Sequence, residues 1–223
     1  MGYNSTILTE LQKRFLELVI KEPTFVKNYY WTGGTVLSEF YLHHRESEDI
    51  DLFTKMNEVR IAPINVFAKK AVKILKAKNI TYTQFLGLHT FTFEFTKKLT
   101  LKVDFNYYPF PLLEKGGKYK DLSYDSVIDI AVNKMQTIAT GSRSRDFIDL
   151  YLIHKIYKYE IIDLMKKARQ KFDYFTDPLQ LASKFLLVNE VSDLPRMRVK
   201  VKDSEWQSFF IEEARKLEEY SLK

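Results

Sequence analysis

The stretch that decides the fold runs from Trp31-Thr32-Gly33-Gly34-Thr35-Val36-Leu37, across a polar loop at His43 to Glu48, into Asp49-Ile50-Asp51-Leu52-Phe53. Just before it, Phe25 to Trp31 is a β-branched and aromatic run that predicts a buried strand, entered after Pro23 closes a preceding helix. Gly33-Gly34 predicts a sharp turn, and Val36, Leu37, Phe40 and Tyr41 return to helical spacing. Ile50 to Phe53 reads as a second strand. Asp49 and Asp51 then share one of its faces while Ile50 and Leu52 share the other. Two carboxylates side by side suit a hard cation such as Mg²⁺ (or Mn²⁺), which takes few carboxylates together with phosphate oxygens. A glycine turn lets main-chain amides approach a polyphosphate with no side chain in the way.

Working outward, Leu8, Leu11, Phe15 and Leu18 predict an amphipathic helix over roughly Thr6 to Val19, and residues 61 to 78 predict another, with Lys69, Lys73 and Lys76 on its solvated face. Phe91, Phe93 and Phe95 alternate with Thr92 and Glu94, as Leu101, Val103 and Phe105 do with Lys102, Asp104 and Asn106. Period two predicts antiparallel or mixed strands with one polar face. Asp104 supplies a third carboxylate on that face; its bland alternative is a pairing with Lys102 or Arg45. Beyond Tyr124 the pattern is helical, with one helix ended by Gly141 and the next over Arg145 to Tyr157, and a strand is conceivable only at Met197 to Val201. The fold class is α+β: a mixed or antiparallel sheet with flanking helices over residues 1–120, then a helical lobe over residues 121–223. Gly116-Gly117 reads as a connecting turn.

Composition bounds the chemistry. The chain has 223 residues, 15% aromatics, 7 Gly and no Cys. These values exclude a fibrous or disordered chain, a disulfide scaffold, a thiol nucleophile and a cysteine-ligated metal. His43, His44, His89 and His154 lack zinc-ligand spacing, and His43-His44 reads as a surface pair. Neither a G-x-S-x-G elbow nor a G-x-x-x-x-G-K-[ST] loop is present. No apolar run is long enough to span a membrane and no leader pattern is visible, so a cytoplasmic protein is expected. Met1-Gly2-Tyr3-Asn4-Ser5-Thr6 matches the myristoylation pattern, but a plain terminus is the simpler reading. The formal net charge is +6, and residues 134–202 alone hold 14 Lys and Arg against 8 Asp and Glu. That excess suggests an anionic partner and a basic C-terminal lobe.

The second dense stretch is Lys134-Met135-Gln136-Thr137-Ile138-Ala139-Thr140-Gly141-Ser142-Arg143-Ser144-Arg145-Asp146-Phe147-Ile148-Asp149-Leu150. Lys134 sits in a helix otherwise apolar on that side. Arg143, Arg145 and Asp146 fall at a helix-turn-helix corner, where first-turn amides and cations meet anions. An exposed corner, with Asp146 complementing a helix N-terminus, is the competing structural reading.

Together these two stretches, in this order and about eighty residues apart, resemble the motifs of the AbiEii/AbiGii toxins, nucleotidyltransferases of the polymerase β-like superfamily that are typically encoded with an antitoxin. The resemblance spans about Phe25 to Leu152. It implies that Gly33 and Gly34 cradle nucleotide phosphates, with Arg45, Ser47, Arg143 and Arg145 as further nucleotide contacts. It implies that Asp49 and Asp51, with Asp104 as a less regular third ligand, hold Mg²⁺. Lys134 would contact the triphosphate and Asp146 would orient or deprotonate the attacking hydroxyl. The implied reaction moves a nucleoside monophosphate from an NTP to a hydroxyl on RNA, such as tRNA, or on a protein, with a cognate antitoxin as partner. An enzyme of the same fold modifying a small molecule such as an antibiotic, and a non-catalytic anion- or partner-binding module, remain as rivals.

Overall fold

The computed structural model describes residues 6–222 except Asn57, Ser142 and Phe175, so the myristoylation pattern, apart from Thr6, lies outside the described residues. The chain forms two compact units: residues 1–41, 46–110 and 115–125, and residues 42–45, 111–114 and 126–223.

The first unit begins with α1 (Glu10–Ile20), whose N-cap Thr9 and Gln12 form a reciprocal capping box. The expected strand over Phe25 to Trp31 is instead a short helix, α2 (Pro23–Asn28), followed by β1 (Tyr30–Thr32). Pro23 starts that helix at its first turn, where the missing N–H costs nothing, so it opens a helix as well as following one. After β1 come α3 (Gly33–Val36) and a π-helical stretch, Leu37–Leu42. Then β2 (Asp49–Thr54) leads to α4 (Ile61–Leu75), which is closed by left-handed Lys76. The strands β3 (Asn79–Phe85), β4 (Leu88–Glu94) and β5 (Thr100–Tyr107) follow, then a small ribbon of β6 (Lys118–Tyr119) and β7 (Leu122–Ser123).

The main sheet has the order β1-β2-β5-β4-β3, with β2 and β5 parallel and the other pairs antiparallel. Its apolar face carries Ile50, Leu52, Phe93, Val103 and Phe105, all nearly inaccessible. Aromatic edges from the helices close that face: Phe15 meets Phe67 and Phe93 at 5.6 Å, and Phe25 meets Phe67 at 4.7 Å. Such offset and T-shaped contacts add to the hydrophobic burial. Alternation then forces Asp49, Asp51, Lys102, Asp104 and Thr90 onto the opposite face. Gly117 packs where an added methyl would lie 2.4 Å from the Tyr124 ring, which accounts for the glycine by packing.

The second unit is built from α5 (Val127–Thr140), α6 (Ser144–Tyr157), α7 (Ile161–Phe172), α8 (Pro178–Leu186) and α9 (Asp203–Ser221), with a 3₁₀ turn at Leu187–Asn189. Its core holds Phe147, Phe185, Trp206 and Phe210, with Phe210 at 4.8 Å from Phe147 and 4.9 Å from Phe185. The conceivable strand at Met197 to Val201 is a single bridge between Met197 and Arg45. No described helix is long and apolar enough to cross a membrane.

Candidate active site

Register assembles an acidic patch on the polar face of the first unit. The parallel pairing of β2 with β5 sets Asp51 opposite Asp104 and Asp49 opposite Lys102. On the other side β1 brings Thr32 opposite Asp51, so that the next residue, Gly33, turns away directly beside the carboxylate. Gly33 has φ +82°, and a methyl group placed on it would fall 2.0 Å from Asp51 Oδ2. Both the left-handed backbone and the absence of a side chain are therefore required there. Thr35 Oγ1 donates to the Asp49 carbonyl and lies 2.8 Å from Ser47 Oγ, while Gln12 Nε2 donates to the Ser47 carbonyl at 2.8 Å. Ser47 thus fixes the entry to β2, and Gly34 sits in the first turn of α3.

Lys102 is the cation of this patch. Its Nζ lies 2.9 Å from Asp104 Oδ2 and 3.5 Å from Asp49 Oδ2. Burial works against its charge, but the Asp104 hydrogen bond and the charges of Asp49, Asp104 and Asp51 prevail and hold its pKa above the ordinary lysine value. Thr90 Oγ1 donates to Asp104 Oδ1 at 2.6 Å. Both oxygens of Asp104 are thus engaged and the residue is 5% exposed. Among the described residues no group of three or more His, Asp or Glu side chains is placed to hold a metal ion. Asp49 and Asp51 are partly exposed on one strand face and fit a hard cation that completes its shell with phosphate and water. Asp104 is instead held by Lys102 and Thr90, its bland alternative.

The second stretch forms a different kind of centre. In the second unit Asp149, fully buried, receives His44 Nε2 at 2.7 Å, Arg45 Nε at 2.7 Å and Arg45 Nη2 at 2.8 Å. Lys134 Nζ bridges Asp149 Oδ2 at 2.8 Å and Asp146 Oδ1 at 2.6 Å, and Arg143 Nε reaches Asp146 Oδ2 at 2.8 Å. Asp146 and Asp149 share one face of α6 through their three-residue spacing. The segment carrying His44 and Arg45 is fastened by Arg198 and Val199 amides donating to the His44 carbonyl.

Burial raises the Asp149 pKa, but the Arg45 and Lys134 charges and the Arg45 and His44 hydrogen bonds overcome it and hold it well below the ordinary value. Burial dominates for His44 and lowers its pKa; Asp149 opposes that shift, while Arg45 and Lys134 reinforce it. His44 is 1% exposed, which corrects the reading of a surface pair: it lies against Asp149. Arg45 is 3% exposed and Asp146 is fully buried, so in this arrangement both are occupied by internal ion pairs. The Arg145 side chain is half-buried and forms no hydrogen bond or ion pair among the described residues, while Ser144 at the start of α6 is held by Asp193. Part of the regional excess of cations is also internal: Lys171 is buried against Asp129 at 2.7 Å.

The first unit thus carries a sheet edged by a glycine turn, with two carboxylates of one strand beside it. Residues 14–220 match the family described as "Nucleotidyl transferase AbiEii toxin, Type IV TA system". The chain belongs to the AbiEii family. The family match reaches well beyond Leu152, so the later helices are part of the family architecture. An uncharacterized protein of Aquifex aeolicus (strain VF5) is 28% identical over 167 residues, covering 74% of this chain and 76% of that one. Among solved structures, JHP933 from Helicobacter pylori superposes with a TM-score of 0.56 at 18% identity, covering 96% of this chain and 94% of the other. MenT4, a nucleotidyltransferase toxin from Mycobacterium tuberculosis H37Rv, gives a TM-score of 0.58 at 15% identity, over 93% and 81%. These likenesses share the fold. As an AbiEii-family member, the chain is an NTP-dependent nucleotidyltransferase of the toxin type.

Proposed function

We propose that the enzyme transfers a nucleoside monophosphate from an NTP to a hydroxyl of RNA, tRNA included, or of a protein, and that a cognate antitoxin is its protein partner. The observation that carries this reading is the seat of Asp51 on the α-carbon of Gly33, with Asp49 beside it on the same strand face. A divalent cation, Mg²⁺ or Mn²⁺, bound to these two carboxylates would neutralise phosphate charge. Gly33 and Gly34 leave main-chain amides open to phosphate oxygens. Lys102 keeps its charge and steadies Asp49 and Asp104 against mutual repulsion. The acceptor oxygen forms a bond to the α-phosphorus as the bond to pyrophosphate breaks, and the hydroxyl proton leaves to solvent or to a nearby carboxylate. Positioning and charge neutralisation supply most of the rate.

In the second unit, Lys134 has three ammonium protons, of which two go to Asp146 and Asp149, so one remains for an anionic group. Arg145 is a second available cation. We assign both to substrate phosphate and treat Asp146 as a positioning residue for Lys134 and Arg143. The test is transfer of label from each α-labelled NTP to total tRNA and, separately, to total protein, using wild type and Asp51→Ala. Label in one fraction that disappears with Asp51→Ala supports the reading and names the acceptor class. Label in neither, with toxicity persisting in Asp51→Ala cells, overturns it in favour of a binding module.

A further inference from the structure

A cavity of about 190 Å³ lies within the second unit, lined by Gln136, Thr140, Tyr174, Thr176, Gln180 and Lys184 among others. Gln136 and Thr140 come from α5, Gln180 and Lys184 from α8, and Tyr174 and Thr176 from the connection before α8. Two polar atoms in this lining are buried with no hydrogen-bond partner among the described residues: Gln136 Oε1 and Thr176 Oγ1. Thr176 is only 9% exposed. Leaving a buried polar group unsatisfied costs roughly 1–3 kcal/mol, so two of them on residues that line one cavity point to a ligand that completes them.

The lining defines that ligand. Among the described lining residues there is no acid, and the one charged residue is Lys184, half-buried, which makes no ion pair among the described residues. Thr140 and Ser183 already donate to carbonyls of their own helices, so their hydroxyls are left as acceptors. The unspent groups are therefore the two side-chain amides, the Thr176 hydroxyl and the Lys184 ammonium. Paired amide donors and acceptors are the groups that read the edges of nucleobases. Tyr174, 56% exposed, offers a ring for stacking. The volume lies below the roughly 300–1,000 Å³ of sites for drug-sized molecules, so it admits one ring system and leaves sugar and phosphate at the rim.

We propose that this cavity binds a nucleoside monophosphate unit, with an amine-bearing base inserted against Gln136 and Thr176 and its phosphate on Lys184. It is a second nucleotide site, built from residues of the helical unit and sharing none with the carboxylates of β2. The unit comes either from free nucleotide or from one residue of a single-stranded RNA.

Calorimetry on the full chain with AMP, in EDTA and without divalent cations, isolates this site from the acidic face. Wild type and Asp51→Ala are expected to bind AMP equally. Thr176→Val, which preserves shape, should weaken AMP about tenfold, the value of one buried hydrogen bond. Lys184→Ala should weaken AMP several-fold, leave adenosine unchanged, and keep the wild-type melting temperature. UMP, whose base has no exocyclic amine, should bind more weakly than AMP. Competition with a short oligoadenylate identifies the source: tighter binding of the oligomer assigns an RNA strand, and tighter binding of AMP assigns free nucleotide. The proposal is overturned if wild type takes up no AMP at millimolar concentration, if Asp51→Ala abolishes binding, or if Lys184→Ala binds AMP as wild type does. A Thr176→Val chain that fails to fold leaves the decision to Lys184→Ala. Failure here leaves the transfer reaction at β2 untouched, because that reaction is read with metal and NTP.

Discussion

The acidic face of the first unit and the ion network of the second are made from the same kinds of groups, carboxylates and cations a few residues apart, yet they are arranged for opposite ends. Around β2, Asp49, Asp51 and Asp104 share one nearby lysine, and Asp49 and Asp51 remain partly open. In the second unit Asp146 and Asp149 are fully buried and are met by Lys134, Arg45, Arg143 and His44. Excess negative charge with access to solvent is a place where a cation and phosphates lower the free energy. Matched charge without access forms a rigid frame, and its removal leaves uncompensated ions. The partly exposed cluster is therefore the place for the metal and the transfer step, while the buried one serves mainly as a frame that holds Lys134, the proposed phosphate contact.

The largest effect on stability should come from Asp149→Asn. Taking one charge from a buried cluster of three cationic or hydrogen-bonding partners is expected to cost about 3–5 kcal/mol, measured by urea unfolding. A loss below about 1 kcal/mol would mean that the network is far more hydrated than its burial indicates. Asp51→Asn should invert this pattern. Transfer activity is expected to fall roughly a hundredfold or more, equivalent to about 3 kcal/mol of transition-state stabilisation, while the urea midpoint stays near wild type. Equal activity in Asp51→Asn would remove the functional half of the comparison.

Gly33→Ala sharpens the comparison by touching both properties. Its methyl would strike Asp51 Oδ2 and its backbone would hold an unfavourable φ, so roughly 1–3 kcal/mol of stability should be lost together with activity. The smallest effect is with pH. His44, held below its ordinary 6.5, takes up a proton in the unfolded chain before it does so in the folded one, so stability should fall as the pH drops below that value. Asp149, held well below 3.8, adds a second loss in the same direction at lower pH. The first loss should be smaller in His44→Gln, and thermal melts at pH 7.5 and 5.5 on both proteins check it. A His44→Gln chain that loses as much as wild type would show that another group carries the acid sensitivity.

Much of this is legible in the sequence. Alternation in Leu101 to Asn106 and in Asp49 to Phe53 gave both strands and the face carrying the carboxylates, because period two is intrinsic to an extended chain. The helix ending at Gly141 and the one that follows were equally clear from spacing. The segment from Phe25 was misleading. Its β-branched and aromatic residues favour a strand, but Pro23 supplies a helix start, and packing against Phe67 and Phe105 rewards a helical turn. Strand β3 escaped the pattern because it is the sheet edge, exposed along nearly its whole length, so no buried face imposes alternation. At the site, Asp49 and Asp51 could be paired from sequence. The pairing of Asp104 with Lys102, two residues away on the same strand face, is legible too, whereas its bond from Thr90 depends on the register of β4 against β5.

By itself the sequence determined the local grammar: a glycine turn, two acids on one strand face, a helical lysine, and acids three residues apart on a following helix. These depend only on backbone periodicity and the stereochemistry of glycine. Tertiary structure alone decided which charges are neutralised. Arg45 and Asp149 are 104 residues apart in sequence and 2.7 Å apart in space. Whether a charged side chain is a reagent or a strut depends on its desolvation and its partners, and both are fixed by distant segments of chain.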